Sequence, residues 1–275
     1  MGGAKGWKFR IDVISLMSMT PYKLDSRAWQ ESWDRQQEAY MPDREHRISA
    51  MLDVVDAVAP EAPGDPIKIL DLAGGTGSIS LRALARFDRV GITLLDLDPA
   101  LLAIAGASLG ERATLVPADL RDPGWAARLP HRAYDAVLTA TALHWLAPQR
   151  LTELYAELPA VLRPGGVFVN ADHMPDDALP GLSRRLVARA DARREGRYAT
   201  GAVPSWRDWW DLAAVDPVLA PLVEERHRIY SEPHSPEWLP PAAWHLEALR
   251  AAGFAETGVV WRGGTDAAVA GVTPA

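Results

Sequence analysis

The chain contains no cysteine. That one absence excludes disulfide frameworks, zinc–cysteine sites, iron–sulfur clusters and thiol nucleophiles. Lysine is nearly absent as well, four against 25 arginines, a skew we read as source-genome composition without mechanistic weight. Long apolar runs are missing. The longest near the start, residues 11–19, is interrupted by Asp12 and is too short to span a bilayer. Lys5, Lys8 and Arg10 precede it as in a signal-peptide head, but no small-residue cleavage pattern follows. The opening Met-Gly-Gly-Ala-Lys-Gly lacks the Ser or Thr of a myristoylation signal. We expect Met17 or Met19 to be the natural start, residues 1–18 to form an ill-ordered extension, and the protein to be cytoplasmic. Positive charge is also in deficit: 29 basic against 36 acidic residues give a formal −7. That balance does not support a nucleic-acid-binding field, so neither nucleic acid nor membrane is an expected partner. The seven histidines show no metal-ligand spacing such as H-E-x-x-H, so no metal is expected.

What is present is an ordinary globular composition, 48% hydrophobic and 24% charged over 275 residues, enough for one large domain or two small ones. Residues 26–40 place Trp29, Trp33 and Tyr40 at helical spacings, with Ser26 as a candidate N-cap. A second helix at 43–58 carries Ile48, Met51, Leu52 and Val55 on one face. The breaker cluster at 60–66 then changes the rhythm. Short apolar runs at 67–72, 90–95, 113–116, 133–138 and 166–170 alternate with helical segments at 77–87, 99–107 and 148–162. That order predicts an α/β fold with a mostly parallel, doubly wound sheet covered on both faces. Residues 174–240 read as several short helices with Trp206, Trp209, Trp210 and Trp238. A helix at 241–252 and strands at 254–261 and 267–272 complete a seven-stranded sheet. The expected organisation is an N-terminal helical flap (19–66), a core (67–173), an inserted helical cap (174–240) and a C-terminal helix with two strands (241–275).

The informative stretch is Ile69-Leu-Asp-Leu-Ala-Gly-Gly-Thr-Gly-Ser78, a glycine turn between a strand and a helix. Such a turn lets backbone N–H groups approach a ligand closely. A dinucleotide fingerprint would need glycine at Ser80 and would lack Asp71, and a phosphate-binding P-loop would need a Lys-Ser/Thr pair. Nineteen positions after Gly77, Asp96 ends the second strand, where a carboxylate can accept both ribose hydroxyls; Asp98 reads as a helix N-cap before Pro99. A third acid, Asp119, follows the third strand.

This trio resembles the class I S-adenosylmethionine (SAM)-dependent methyltransferases, whose first motif is an acid followed by a Gly-x-Gly-x-Gly loop; Ala73 stands at the first glycine. The resemblance covers residues 67–172 and, more weakly, 241–272. It implies a Rossmann-like methyltransferase fold with SAM as cofactor. The site it implies has Asp71, Ala73, Gly74, Gly75 and Gly77 at the amino acid portion, with Tyr40 and Arg44 completing that pocket. Asp96 lies at the ribose, Asp119 at the adenine amine, Leu97 and Leu120 flank the ring, and Thr139 lines the methionine end. The segment Leu143-His-Trp-Leu146 is similar to that of small-molecule methyltransferases of the trans-aconitate type. His144 and Trp145 would lie near the methyl group, and Asp172 and His173 end the fifth strand at the same edge. His144, His173 or Asp172 is the candidate general base, a choice the residues leave open. Trp206 and Trp210 are candidates for contact with an apolar acceptor, the alternative being that the cap's tryptophans form its own core. Arg184, Arg185, Arg189, Arg193, Arg194 and Arg197 fall on one expected helix and read as a solvated face balanced by Asp191 and Glu195, the alternative being an anionic acceptor steered by them.

The expected activity is methyl transfer to a small-molecule acceptor, a secondary metabolite or small carboxylic acid, and a homodimer is compatible with it. One alternative is a SAM-binding protein that transfers no methyl group, a lyase, cyclase or binding module. The other, a nicotinamide oxidoreductase, is disfavoured by Ser80 and Asp71.

Overall fold

The structure is a computed structural model that describes residues 23–59, 65–231 and 237–275; the expected extension at 1–18 lies outside them. Seven strands form one sheet: β1 Ile67–Leu72, β2 Val90–Asp96, β3 Ala113–Pro117, β4 Tyr134–Ala140, β5 Leu162–His173, β6 Glu256–Gly263 and β7 Asp266–Val272. Their order is β3-β2-β1-β4-β5-β7-β6. The first five are parallel, and β7 runs antiparallel to both β5 and β6. The order reverses beside β1, so the carboxyl ends of β1 and β4 flank the crevice where open α/β sheets bind ligands.

Helices cover both faces, which explains why the central strands are almost continuously apolar. Against one face lie α5 (Pro148–Glu157) and α9 (Ala242–Ala251), through Leu151, Leu154, Tyr155 and Leu249. Against the other lie α2 (Arg44–Val58) and α3 (Ser78–Arg86). The α2 residues Ile48, Met51, Leu52 and Val55 are all buried there, as their spacing predicts. Helix α4 (Pro99–Leu109) joins this layer with Leu102, Ala105 and Leu109 packed on Leu94. Asp98 caps α4 as expected, accepting from the Ala100 and Leu101 N–H groups with Pro99 at the first helical position.

Two expectations require correction. Helix α1 (Ser26–Tyr40) is capped by Asp25, which accepts from the Ala28 N–H, and not by Ser26. The segment expected to be helical to residue 162 leaves the α-helix at Glu157, because Pro159 removes a donor and a single tight turn leads straight into β5. The cap opens with the 20-residue helix α6 (Pro180–Ala199), which has Pro180 in its first turn and carries the arginine cluster expected on one helix. Two 10-residue helices follow, α7 (Trp206–Val215) and α8 (Ala220–Ile229).

The cap rests on α1 and α4 through a third core. Trp209 is fully buried, with ring contacts to Trp29, Trp33 and Trp210 at centroid distances of 5.0–5.3 Å. Ala100, Ile104, Leu219 and Leu222 close around it. Truncating a fully buried aromatic removes its apolar burial and leaves a void. We therefore expect Trp209→Ala to cost about 3–5 kcal/mol in denaturant unfolding, whereas a loss below about 1 kcal/mol would show that the cap is anchored elsewhere.

Candidate active site

The turn after β1 owes its shape to Asp71. Its Oδ2 accepts both the Ser80 N–H at 3.1 Å and the Ser80 hydroxyl at 2.6 Å, tying the strand end to the first turn of α3. The loop passes directly over this carboxylate: a Cβ at Gly74 would lie 2.7 Å from Asp71 Cγ, and one at Gly77 would lie 2.9 Å from Leu109. Glycine is required at both positions. Ala73 takes φ 54° and Thr141, just beyond β4, takes φ 53°. These are strained conformations for residues with a Cβ, and both stand at the carboxyl edge, where strain tends to cluster at functional sites.

Asp96 locks the same turn from β2. Its Oδ2 accepts the Gly75 N–H at 2.8 Å and its Oδ1 accepts the Asp98 N–H at 2.8 Å. A carboxylate has about four acceptor sites, so capacity remains for a ligand's hydroxyls. Burial pushes Asp71 up to about 6, a rise that its bonds from Ser80 oppose, and pushes Asp96 upward against backbone donors from Asp98 and Gly75.

The N-terminal flap closes the outer side. Gln30 Nε2 donates to Ser78 Oγ at 2.9 Å, Ser78 Oγ donates to Asp34 at 2.7 Å, and Trp33 stands over Gly75. Arg44 reaches Asp34 at 2.9 Å, and Arg82 reaches its other oxygen at 2.9 Å. Arg44 is thus beside the start of α3. Gln30, Trp33 and Asp34 carry no sequence signal that separates them from an ordinary amphipathic helix. A cavity of about 510 Å³ outside the flap is lined by Asp34, Glu38, His46 and Arg197; it reaches neither Asp71 nor Asp96.

At the end of β5 the strand alternation turns Asp172 and His173 to opposite sides, while the His144 and His173 rings remain 6.5 Å apart at the edge. His144, in a tight turn after β4, has Nδ1 at 2.8 and 3.0 Å from the two oxygens of Asp172, and both side chains are buried. Burial opposes charge on the imidazole, but the Asp172 carboxylate outweighs it and the net direction for His144 is upward; Asp172 is held down against its own burial by His144 and then His173. His173 points to the other face. Its Nδ1 meets Asp266 at 2.7 Å, and Asp266 takes the Arg47 guanidinium at 2.9 Å. Tyr40 packs edge-on against His173 at 5.3 Å, and the Arg194 guanidinium lies over the Tyr40 ring at 5.2 Å. Tyr40 therefore belongs to this histidine cluster, apart from the Arg44–Asp34 pair. Arg47, on α2, and Asp266, at the start of β7, carry no sequence signal of this pairing.

The remaining candidates divide. Leu120 is buried in the core and Leu97 is half-buried beside Asp96. Asp119 lies beyond β3, its carboxylate engaged by the Arg121 side chain at 2.8–2.9 Å and by the Arg121 N–H. Thr139 is buried at the end of β4, its Oγ1 lacking a hydrogen-bond partner, and its strand partner Asn170 has an unpartnered Oδ1. Trp145, 44% exposed, adjoins His144 at 5.0 Å. Trp206 meets Trp33 and Trp210 but is 43% exposed, while Trp210 is buried in the cap's core against Trp209 and beneath Arg226. Most α6 arginines are exposed, as expected for a solvated face.

The residues present suit an adenosyl sulfonium. Buried carboxylates at 71 and 96, an orphaned Asp71 Oδ1 and a tight glycine turn offer acceptors to ribose hydroxyls and a field for positive charge. A pyrophosphate would face that field unneutralised.

The comparisons agree with this geometry. Residues 69–166 match the methyltransferase domain family. The chain is 34% identical over 120 residues to the ubiquinone/menaquinone biosynthesis C-methyltransferase UbiE of Methylobacterium nodulans, covering 43% of this chain and 46% of that protein. It is 33% identical over 142 residues to a trans-aconitate 2-methyltransferase of Streptomyces avermitilis, covering 50% and 49%. Among solved structures, the CurJ carbon methyltransferase superposes with a TM-score of 0.58 at 12% identity, over 90% of this chain and 59% of that one. Human N-acetylserotonin methyltransferase in complex with SAM gives 0.55 at 14%, over 96% and 62%. At these identities the structures show the fold alone. The fold and the site define a Rossmann-like methyltransferase domain. The match to that domain family extends over residues 69–166, and SAM is the cofactor these residues suit. The chain spans about half the length of the curated relatives it matches.

Two measurements check the assigned roles. Asp96→Ala is expected to weaken SAM binding by about 1–3 kcal/mol in calorimetry, the loss of a buried charged acceptor; unchanged affinity would remove Asp96 from the site. Ionised Asp71 favours the cationic ligand, and its pKa of about 6 means that charge is lost on acidification. SAM affinity should therefore fall between pH 7 and pH 5, by up to about tenfold if the neutral form does not bind. A flat profile would contradict this.

Proposed function

We propose that this protein transfers the methyl group of SAM to a small-molecule acceptor in the cytoplasm, releasing S-adenosylhomocysteine, and that His144 is the general base. The observation that carries the proposal is the His144–Asp172 pair, buried at the carboxyl edge of β4 and β5 in the sheet that also presents the glycine turn. SAM, when bound, supplies a methyl group on a sulfonium already activated as a leaving group. Alignment and exclusion of water then account for most of the catalysis.

The chain's own residues divide the work. The turn at 73–77 and Asp96 hold the cofactor, with Thr139 toward its methionine end. Asp172 accepts the Nδ1 proton of His144, which fixes the tautomer and leaves Nε2 as the basic nitrogen. When the acceptor's hydroxyl, amine or acidic carbon loses its proton during attack, Nε2 takes it and Asp172 stabilises the resulting imidazolium. A small acceptor suits the enclosing cap, whose α6 begins seven residues after His173. The relatives' names, a ubiquinone/menaquinone biosynthesis C-methyltransferase and a trans-aconitate 2-methyltransferase, support an acceptor that is a secondary metabolite or small carboxylic acid.

Transfer of radiolabel from methyl-labelled SAM to a candidate acceptor tests the reaction; saturable SAM binding with no transfer to any acceptor would contradict it. For His144→Ala we expect turnover to drop by about 10²–10⁴ with SAM affinity within threefold of the parent. The base must be neutral to act, so activity should rise with pH through a value above the ordinary histidine pKa, since His144 is shifted upward. Equal turnover in the variant, or activity that falls over that range, would remove His144 from the mechanism.

A further inference from the structure

Arg226 on α8 lies at a junction that neither the glycine turn nor the dyad explains. Its Nε donates to Asp98 Oδ2 at 2.7 Å, and the two side chains are only 15% and 4% exposed. Its guanidinium carbon stands 4.0 Å from the Trp210 ring and 5.0 Å from that of Tyr230, so aromatic faces fix it in place. Asp98 is engaged on every side. Its other oxygen caps α4 through the Ala100 and Leu101 N–H groups, and its own N–H donates to Asp96. Asp96 in turn holds the Gly75 N–H.

The geometry points to Arg226 as a positioning residue for the adenosyl end of the cofactor site, reaching it from the cap through Asp98 and Asp96. The inference rests on the SAM reading above. Two carboxylates two residues apart and both buried repel each other, and each favours protonation unless a cation stands beside them. Arg226 is that cation. By neutralising Asp98 it keeps the Asp98 N–H aimed at Asp96 and keeps Asp96 charged, so that Asp96 can accept ribose hydroxyls. A cap helix thereby sets the affinity of a ligand portion that Arg226 itself need not touch.

The test is calorimetry with S-adenosylhomocysteine and with 5′-methylthioadenosine, which lacks the amino acid end. In Arg226→Gln, both ligands should weaken by the same factor, about tenfold, as when an outer partner that orients a binding group is lost. Arg226→Lys, which keeps the charge, should recover part of it. Leu222→Ala, which loosens the packing of the same helix, should lower the melting temperature yet leave both affinities within twofold. Parent affinity in folded Arg226→Gln, weakening confined to S-adenosylhomocysteine, or an equal loss in Leu222→Ala would overturn the inference. If Arg226→Gln does not fold, Arg226→Lys decides: it should bind more weakly than the parent, and parent affinity would count against the role. Parent protein that binds neither ligand would instead refute the SAM reading itself.

Discussion

A single buried carboxylate crossing beneath a glycine turn organises this molecule. Asp71 ties the end of β1 to the start of α3 through Ser80, and the turn between them can pass only because Gly74 has no side chain. Burying that charge is unfavourable, as its raised pKa shows. The two bonds from Ser80 and the field of nearby Arg44 offset part of the cost. What results is a fixed turn whose backbone is held from below by Asp71, from the side by Asp96 and from above by the flap helix through Trp33 and Ser78. A site that must receive a cationic, hydroxyl-rich ligand gains from this arrangement, since the groups that shape the turn also set its charge.

From that turn the rest of the carboxyl edge follows by strand periodicity. Residues two apart share a face, so Asp172 and His173 at the end of β5 diverge, one to His144 and the other to Asp266 and Arg47. One histidine is thereby paired with a dedicated carboxylate on the face carrying Thr139 and Asn170. The other is absorbed into an ion-pair chain that ties β5 and β7 to α2. The cap completes the edge. Its tryptophans supply the packing that fastens α7 and α8 to α1 and α4, and Arg226 extends that packing to the acid cluster beneath.

Much of this was legible in the residues because local chemistry determines it. The apolar runs bounded by Gly, Pro and Asp located every strand of the sheet, and Asp98 before Pro99 marked the α4 cap. The absence of glycine at position 80 and the presence of an acid at 71 seemed two separate departures from a dinucleotide fingerprint; in the structure they are partners in one contact. The cap was less legible, since prolines at first turns start helices as readily as they stop them, and the bounds of α6, α7 and α8 do not follow from the proline positions alone. Long-range pairings were invisible. Nothing in the local pattern joins Asp34 to Ser78, Arg47 to Asp266 or Arg226 to Asp98, because those contacts are 44, 219 and 128 residues apart in sequence. That His144 pairs with Asp172 and His173 with Asp266 depends on which face each strand end presents, and only three-dimensional register supplies that.

The central claim is that the acid-braced glycine turn receives an adenosyl sulfonium and not a dinucleotide. Side-by-side calorimetric titrations of the intact protein with SAM and with NAD test it most directly. The account predicts a saturable SAM isotherm with one site per chain and no displacement by excess NAD. Saturation by NAD with no heat from SAM would contradict it.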